Sequence, residues 1–295
     1  IASHTKALQL HPDFLLVGGV DPIPKLREKF TDKFNQKAYK DLSYALEYCK
    51  PEMVIVSTPI KIHSHTFEQL LNCSSLKLIL CEKPIAETMD EAKSMLKKAK
   101  YKNKSVAVNY IRRFDQGVQE LLERIKSGKL GFPLHSYVSY RKGIINNGSH
   151  FLNLLSPILG GMQKINIITK GRLWDGWDPE PDLKIEFERG YSFFLSGHEE
   201  DFSYSQMEIF GPKGKALLDK DGRIFWWSKE QNSSFEGYEF LQLKAKEIAT
   251  DMKRYQYNVL QNISDYLSGF TPLICDGNSG LLTMEILDQI QKELS

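Results

Sequence analysis

The segment Glu82-Lys83-Pro84 holds the residues best suited to chemistry in this chain, because it directly follows the apolar run at residues 76–81 (LKLILC). Such a run is typical of a buried parallel strand, and ligands bind at the edge of a sheet where parallel strands end. Pro84 disfavours a helical conformation for Lys83, so we expect the lysine on extended backbone at that edge. An ammonium held there is a candidate acid, base or substrate anchor. The alternative is a surface Lys-Pro turn, since short motifs often match by chance.

A second candidate for proton transfer is His150, which lies in the segment 146–151 (NNGSHF). Histidine is the side chain best suited to proton transfer near neutral pH. The alternative is a histidine that only stabilises the fold. The neighbouring residues 143–147 are a candidate substrate loop, and Arg141 and Lys142 before it are candidates for binding a phosphate or carboxylate, or for a solvated rim.

Asp21 follows the segment Val17-Gly18-Gly19-Val20 and is predicted to end the second strand of a dinucleotide-binding unit. A carboxylate there accepts hydrogen bonds from the adenosine ribose and repels a 2′-phosphate, which favours NAD over NADP. The alternative is an ordinary helix cap, with Pro22 near the first turn. We expect a strand and a glycine-rich phosphate loop just before residue 1, with residues 1–8 as the helix that follows them.

The first third of the chain alternates apolar runs with amphipathic segments, and this pattern predicts a parallel sheet with helices on both faces. One amphipathic segment spans residues 90–100, where Thr88 and Glu91 form a capping box. The predicted strands are residues 14–20, 53–57, 76–81 and 105–108.

The second half has a different pattern, in which apolar and polar residues alternate between turn sequences. A helix with Val118 and Ile125 on its apolar face is predicted to end at Gly128. Residues 183–187 and 191–195 are then predicted to form a hairpin, followed by strands at 207–210, 215–218 and 223–227 and a last helix over 282–294. The fold class is therefore α/β, with an N-terminal Rossmann domain (residues 1–111) and a C-terminal α+β domain (residues 112–295) built on a large, mostly antiparallel open sheet.

Composition narrows the class of protein. The chain has 295 residues, 41% of them apolar and 26% charged, with a formal net charge of +2. These values are ordinary for a globular protein and predict neither a nucleic-acid partner nor a membrane partner. The four cysteines have no metal-ligand spacing, so we expect no metal site, reduced thiols and a cytoplasmic location.

Several segments together resemble one family of oxidoreductases. They are Asp21-Pro22, Ser57-Thr58-Pro59 with His63, Glu82-Lys83-Pro84, Asn109-Tyr110-x-Arg112-Arg113-Phe114-Asp115 and Asn147-Gly148-Ser149-His150. Their order and spacing are similar to those of the glucose–fructose oxidoreductase / inositol dehydrogenase / MocA family, and the resemblance covers nearly the whole chain.

The resemblance implies an NAD(P)-dependent dehydrogenase that acts on a sugar hydroxyl. It implies that Lys83 and His150 act together in proton transfer and that the Lys83-Pro84 peptide is cis. The residues around the cofactor would be Asp21, Thr58, Pro59, His63, Glu82, Lys83, Asn109 and Arg113. Tyr110, Arg141, Asn146 and Asn147 are candidates for substrate binding. The C-terminal sheet would form a homodimer or homotetramer interface.

Position 146 departs from the family pattern, because many members carry Asp where this chain has Asn146. An amide orients a hydroxyl but does not take up its proton at neutral pH. This variant resembles the branch that acts on amino sugars or nucleotide-linked sugars. Two other functions stay open on this fold: an NAD-binding sensor or partner-binding module without activity, and an NAD-assisted glycosidase or epimerase.

Four tryptophans, Trp174, Trp177, Trp226 and Trp227, are candidates for stacking on a sugar ring, with core or interface packing as the alternative. Trp226 and Trp227 are neighbours in a predicted strand. They are expected on opposite faces, so no more than one of the two faces a given site.

Overall fold

The chain divides into two compact units in the computed structural model, which describes residues 3–197, 204–231 and 237–295. Unit 1 comprises Ile1–Tyr110 and Lys253–Leu281, and unit 2 comprises Ile111–Met252 and Leu282–Ser295. The sequence analysis placed residues 253–281 in the second domain. They belong to unit 1 because the helix they contain packs against the first helix of the chain.

The α-helices of the described residues are, in chain order, α1 (His4–Leu10), α2 (Pro24–Phe34), α3 (Leu42–Cys49), α4 (His63–Leu70), α5 (Met89–Tyr101), α6 (Gln116–Lys126), α7 (Ser149–Leu159), α8 (Tyr255–Leu267) and α9 (Gly277–Leu294). Shorter 3₁₀ turns lie at Ile60–Ile62, Ile111–Phe114 and Met252–Arg254, and a π-helical segment lies at Gly143–Gly148.

The strands are β1 (Gly19–Val20), β2 (Ala38–Tyr39), β3 (Met53–Val56), β4 (Leu78–Cys81), β5 (Ser105–Val108), β6 (Leu134–Tyr140), β7 (Met162–Thr169), β8 (Leu173–Trp174), β9 (Asp178–Pro179), β10 (Asp182–Phe187), β11 (Gly190–Ser196), β12 (Gln206–Gly211), β13 (Gly214–Leu218), β14 (Ile224–Gln231), β15 (Glu239–Leu241) and β16 (Lys246–Ile248).

Unit 1 contains the predicted parallel strands. β3, β4 and β5 form one parallel sheet in that order, and β1 pairs with β2 in a second parallel sheet. All four residues of β4 are buried, as its continuous apolar pattern predicts. The capping box of α5 is confirmed: the Thr88 hydroxyl accepts from the Glu91 N–H, and the Glu91 carboxylate accepts from the Thr88 N–H.

The strand predicted over residues 14–20 is wrong in its length, because only Gly19 and Val20 pair with another strand. Leu15 is 79% exposed and Val17 is 38% exposed, so this apolar run is not a core strand in the structure. A run of apolar residues forms a strand only where a neighbouring strand supplies hydrogen bonds. Here β2 supplies them to only two residues, Gly19 and Val20.

Unit 2 is built on one large sheet with the strand order β15-β14-β13-β12-β6-β11-β10-β7, and β16 also pairs with β14. The sheet is mostly antiparallel, with β6 and β11 parallel to each other. The hairpins predicted from the alternating pattern are confirmed in β10–β11, β12–β13 and β13–β14. The α/β fold class is therefore confirmed, with a Rossmann-type parallel sheet in unit 1 and the mixed sheet in unit 2.

One face of the unit 2 sheet forms the main hydrophobic core with α6, α7 and α9. The predicted apolar face of α6 packs there through Val118, Leu121, Leu122 and Ile125. The opposite face carries what we call the aromatic face, made of Tyr137, Tyr191, Phe193, Phe210 and Trp227. Tyr137 stacks on Phe193 with 5.7 Å between ring centroids, and Trp226 faces the core while Trp227 does not.

No α-helix in the part of the chain described here has the length and hydropathy needed to cross a membrane. All four cysteines are free thiols. Among residues 3–197, 204–231 and 237–295, no group of three or more His, Cys, Asp and Glu side chains is arranged to bind a metal ion.

Candidate active site

Several of the predicted site residues of unit 1 directly follow the strands of the β3-β4-β5 sheet, at one edge of that sheet. Val56, Cys81 and Val108 are register partners at the carboxyl ends of these strands. The backbone continues this alignment for one residue, since the Glu82 N–H donates to the Val56 carbonyl and the Asn109 N–H donates to the Cys81 carbonyl. Glu82, Lys83 and Asn109 therefore leave the sheet at the edge where open α/β sheets bind ligands.

Glu82 is the centre of a hydrogen-bond cluster at this edge. Its Oε1 accepts from Asn109 Nδ2 at 2.7 Å and lies 2.7 Å from His4 Nε2 of α1. Burial alone would raise the pKa of the Glu82 carboxyl. The hydrogen bonds from His4, Asn109 and the Lys83 backbone outweigh burial and hold the pKa below its ordinary value of 4.5. Glu82 is therefore a carboxylate at neutral pH, held next to Lys83.

The peptide between Lys83 and Pro84 is cis, as the family resemblance implies. Lys83 is partly buried and follows directly from the β4 strand through Glu82. A short backbone path from a buried strand restricts where the lysine side chain can project.

His63 connects two loops of this edge. Its Nδ1 lies 3.1 Å from the Ile85 carbonyl and its Nε2 lies 2.9 Å from the Thr58 carbonyl, and the residue is 2% exposed. Cys81 Sγ lies 3.5 Å from the same Nδ1, and burial raises the pKa of the Cys81 thiol far above its ordinary value, so it remains protonated. His63 thus holds the backbone at Thr58 and after Pro84, while the Thr58 and Pro59 side chains are exposed.

Two further observations bear on whether unit 1 fits a dinucleotide. Asn109 is 2% exposed, and its buried Oδ1 accepts no hydrogen bond from the described residues. A buried acceptor without a donor is costly, and a ligand donor such as a carboxamide or a ribose hydroxyl would satisfy it. Asp21, at the end of β1, uses Oδ1 to accept from the Ile23 N–H at 2.8 Å, and its second carboxylate oxygen is suitable for a ribose hydroxyl. The residues present therefore fit NAD.

Tyr110, a predicted substrate residue, follows Asn109 directly but is only 1% exposed. Its phenol is one of the largest fully buried side chains of the chain. Substrate contact through Tyr110 stays a prediction.

In unit 2, the predicted site residues lie on one continuous segment. The π-helical segment Gly143–Gly148 carries Asn146 and Asn147 and runs directly into α7, where His150 is the second residue. His150 is 8% exposed, so it is largely shielded from water. The side chains of Asn146 and Asn147 donate through Nδ2 to the carbonyls of Lys142 and Arg141, at 3.2 and 2.9 Å.

The two arginines of the segment Arg112-Arg113-Phe114-Asp115 have different surroundings. Arg113 donates through NH1 to the Asn153 carbonyl of α7 at 2.9 Å, so it braces the helix that carries His150. Arg141 is likewise engaged inside unit 2, where it donates to the Tyr140 carbonyl at 2.9 Å. Binding of a cofactor by Arg113, or of a substrate by Arg141, stays a prediction.

Arg112 belongs to a motif that the sequence analysis quoted, but no role was predicted for it. Its guanidinium lies 4.9 Å from the ring centroid of Phe151, the neighbour of His150, and forms no ion pair with a described carboxylate. Burial lowers the pKa of Arg112 to about 10, so it keeps its charge at neutral pH. In the sequence, two adjacent arginines give no indication of which one bonds to another part of the fold. The tertiary structure distinguishes them, because Arg113 bonds to α7.

Asp115 ends the same motif with a structural role. Its carboxylate caps α6 by accepting from the Val118 N–H at 3.1 Å and also accepts from the Asp251 N–H at 2.7 Å. The residue is fully buried, and burial raises its pKa despite these hydrogen bonds.

The tryptophans proposed for sugar stacking differ in exposure. Of the four, Trp226 is buried and Trp177 is 55% exposed.

The fold and the site define a class: an α/β dinucleotide-binding protein with candidate ligand-binding residues at the carboxyl edge of a Rossmann-type sheet and a second unit built on an open sheet. Comparison with known proteins specifies the family. Residues 2–110 match the family model described as GFO_IDH_MocA, an oxidoreductase family with an NAD-binding Rossmann fold. The chain is 30% identical to D-glucoside 3-dehydrogenase of Escherichia coli across 93% of this chain and 86% of that enzyme. The chain belongs to the Gfo/Idh/MocA oxidoreductase family.

Other similarities cover less of the relatives or are lower in identity. An uncharacterized oxidoreductase of Schizosaccharomyces pombe is 38% identical over 97 residues, which are 33% of this chain and 26% of that protein. The chain thus matches about a quarter of the length of that relative. The crystal structure of the WlbA dehydrogenase from Bordetella pertussis, in complex with NADH and UDP-GlcNAcA, has a TM-score of 0.80 at 16% identity and covers 99% of this chain and 91% of that one. This likeness supports the fold.

Proposed function

We propose that this protein is an NAD-dependent dehydrogenase that oxidises a secondary hydroxyl of a sugar or a nucleotide-linked sugar. The observation that carries the proposal is the Glu82–Asn109 hydrogen bond at the end of two buried strands, directly beside Lys83. Family membership supports hydride transfer as the reaction, and the family model supports NAD as the cofactor. The substrate class is suggested by relatives that are named for glucoside and for UDP-GlcNAcA.

NAD bound at the sheet edge would supply the hydride acceptor. The residues that would hold it are Asp21 at the adenosine ribose, Thr58 and Pro59 beside the dinucleotide, and Asn109 through its buried Oδ1. Glu82, as a carboxylate bonded to Asn109, fixes the backbone from which Lys83 projects. Lys83 Nζ would hold the reacting hydroxyl and move its proton.

His150 is the second proposed proton-transfer group, and it would act through its imidazole at the start of α7. Asn146 has no proton to exchange at neutral pH, so its proposed role is to orient a substrate hydroxyl. Arg112 is the proposed anchor for a phosphate or carboxylate of the substrate, because it is a partly buried cation without an acidic partner among the described residues.

The experiment that tests this function is a substrate panel with NAD⁺ and with NADP⁺, in which reduction is followed by absorbance. The panel contains myo-inositol, methyl D-glucoside, UDP-N-acetylglucosamine and UDP-N-acetylglucosaminuronic acid. Reduction with at least one sugar, lost in Lys83→Met, is the expected result. Binding of NAD without reduction of any kind indicates a sensor, and sugar turnover without net NADH indicates an NAD-assisted glycosidase or epimerase.

We also propose that the aromatic face of unit 2 forms a homodimer or homotetramer interface. Tyr137 is 43% exposed and contacts Phe193 and Phe210 with ring centroids 5.7 and 5.8 Å away. Lys215 lies over the rings of Phe210 and Trp227, at 5.0 and 5.3 Å. A cluster of aromatic rings on an open sheet face is typical of an interface between protein chains.

A further inference from the structure

Two buried carboxylates from one short hairpin bind the backbone of the segment that leads to His150. The hairpin consists of β8 and β9, with Asp178 in β9 and Glu180 just after it. Asp178 Oδ1 accepts from the Ile145 N–H at 3.0 Å, and Oδ2 accepts from the Asn146 N–H at 2.7 Å. Asp178 therefore holds the peptide backbone of a segment more than 30 residues earlier in the chain.

Glu180 binds the start of the same segment. Its Oε1 accepts from the Gly143 N–H at 3.2 Å, and its Oε2 accepts from Arg172 Nε at 2.8 Å. Asp178 is 0% exposed and Glu180 is 1% exposed. Buried carboxylates are tolerated only when they are hydrogen-bonded or paired with a charge, and here backbone amides and one arginine meet that need.

The backbone conformation at the start of this segment brings it close to the Asp178 carboxylate. Lys142 has a φ of 65° and Gly143 has a φ of 79°, both in the left-handed region. A Cβ on Gly143 would lie 1.9 Å from Asp178 Oδ2, so only glycine fits at this position. From there the chain continues as the π-helical segment Gly143–Gly148. π-helical segments are rare and frequently occur at functional sites.

We propose that Asp178 and Glu180 are positioning residues for substrate binding: they hold residues 143–150 in the one backbone path that presents Asn146, Asn147 and His150 to the substrate. The inference rests on the proposed function of these three residues. Neither carboxylate is proposed to touch the substrate, since both are buried and bonded to backbone amides. An apolar replacement of Asp178 leaves the Ile145 and Asn146 N–H groups without acceptors, and an asparagine keeps one acceptor while turning an NH2 donor toward the other N–H. In both cases a backbone N–H loses its hydrogen bond, and the segment then takes another path.

The test compares Asp178→Asn, Asp178→Ala and Glu180→Gln with the matched control Asp175→Asn. Asp175 lies in the turn of the same hairpin, is exposed and has a φ of 51°, a conformation that asparagine adopts well. The free energy of unfolding of each variant is measured first, and the later experiments are run where each is fully folded. Asp178→Asn keeps the shape of the side chain, so it serves even if Asp178→Ala does not fold.

The first readout is hydrogen exchange of the backbone amides. We expect faster exchange confined to residues 143–150 in the Asp178 and Glu180 variants, with the rest of unit 2 unchanged and no change in Asp175→Asn. The second readout is kinetic and uses the panel sugar that the wild-type protein oxidises fastest. Mispositioning is expected to lower kcat/KM by about tenfold to a hundredfold, with the affinity for NADH unchanged.

The outcomes separate this inference from the proposed function. Exchange that accelerates only in residues 143–150 supports the positioning role even if the wild-type protein oxidises no sugar, in which case only the proposed function fails. Exchange that is unchanged, or that accelerates across all of unit 2, contradicts the positioning role. Wild-type kcat and KM in folded Asp178→Asn would also overturn it.

Discussion

Asn109 Nδ2 donates a hydrogen bond of 2.7 Å to Glu82 Oε1, and the two residues directly follow the register partners Val108 and Cys81. One amide side chain thereby fixes a carboxylate and leaves its own Oδ1 as a buried acceptor. The carboxylate is adjacent to Lys83. The position of the proposed proton-transfer lysine is therefore set by two neighbouring strands of the sheet and not by a flexible loop.

Lys83→Met is expected to abolish most of the NAD-dependent oxidation. Methionine has a similar length but no proton to exchange, so the loss in kcat is expected to be about 10²- to 10⁴-fold, the usual contribution of a positioned acid or base. The affinity for NADH, measured by fluorescence titration, should stay the same. Lys77→Met is the matched control, since Lys77 lies before β4 and is exposed. Unchanged kcat in Lys83→Met would remove the lysine from the mechanism.

Glu82→Gln is expected to change how stability depends on pH. The pKa of Glu82 is lower in the folded state than its ordinary value of 4.5, so the unfolded state binds the proton more readily. The stability that this carboxylate contributes is fully present above pH 4.5 and is lost as the pH falls through the lowered folded pKa. Urea unfolding of the wild-type protein between pH 6 and pH 3 should show this loss, and Glu82→Gln should show less of it.

Asp115→Asn is the control for that experiment, because its shift has the opposite sign. Burial raises the pKa of Asp115, so the folded state binds the proton more readily than the unfolded state, and this group lowers stability as the pH rises. Removing its charge should therefore increase the loss of stability on acidification. The same change in slope for both variants would contradict the assignment of these shifts.

Asp21→Ser is expected to weaken the preference for NAD over NADP. The serine hydroxyl still accepts from the Ile23 N–H, so the turn is kept while the charge that repels a 2′-phosphate is lost. Arg27, whose NH1 donates to the Asp21 carbonyl at 2.8 Å, is a cation near the same position. NADPH affinity should rise by roughly fivefold, since a like-charge pair about 4 Å apart costs about 1 kcal/mol even in water. Asp32→Ser, on the exposed part of α2, should change neither affinity.

Arg112→Met is expected to raise KM for sugars that carry a phosphate or carboxylate more than for neutral sugars. A charge-assisted hydrogen bond contributes about 1.5–3 kcal/mol, so the rise is expected to be roughly tenfold to a hundredfold. The methionine keeps an apolar contact with Phe151. Arg189→Met is the control, because Arg189 is exposed and lies over Phe132 in the same unit. An equal rise in KM for myo-inositol and for UDP-N-acetylglucosaminuronic acid would argue against an anion anchor.

Tyr137→Asp is expected to shift the protein toward monomers. A carboxylate placed in the middle of the aromatic face would be buried without a partner in any interface formed there. Analytical ultracentrifugation at several concentrations measures the change. Tyr101→Asp is the matched control, since Tyr101 ends α5 and is 83% exposed. A wild-type protein that is monomeric at all concentrations would contradict the proposed interface.

Local patterns predicted much of the fold. The capping box at Thr88 and Glu91 and the alternation in β10 and β11 both appear in the structure, because each depends on residues close in sequence. The strand predicted over residues 14–20 was too long, since apolar composition does not reveal which neighbour supplies the hydrogen bonds. The pairing of β6 with β11 as parallel strands was likewise not predicted, because strand order depends on the path of the whole chain.

The order of the motifs was enough to indicate the family, and it is the basis on which Glu82, Lys83 and His150 are predicted as site residues. What the motifs could not show is which partner each side chain takes. Asp115 belongs to a family motif yet serves as a helix cap, and Arg113 rather than Arg112 bonds to the Asn153 carbonyl of α7. Asp178 and Glu180 belong to no motif, and the backbone N–H groups that they bind lie 32 to 37 residues earlier. Such contacts depend on where distant segments pack, so only the folded chain reveals them.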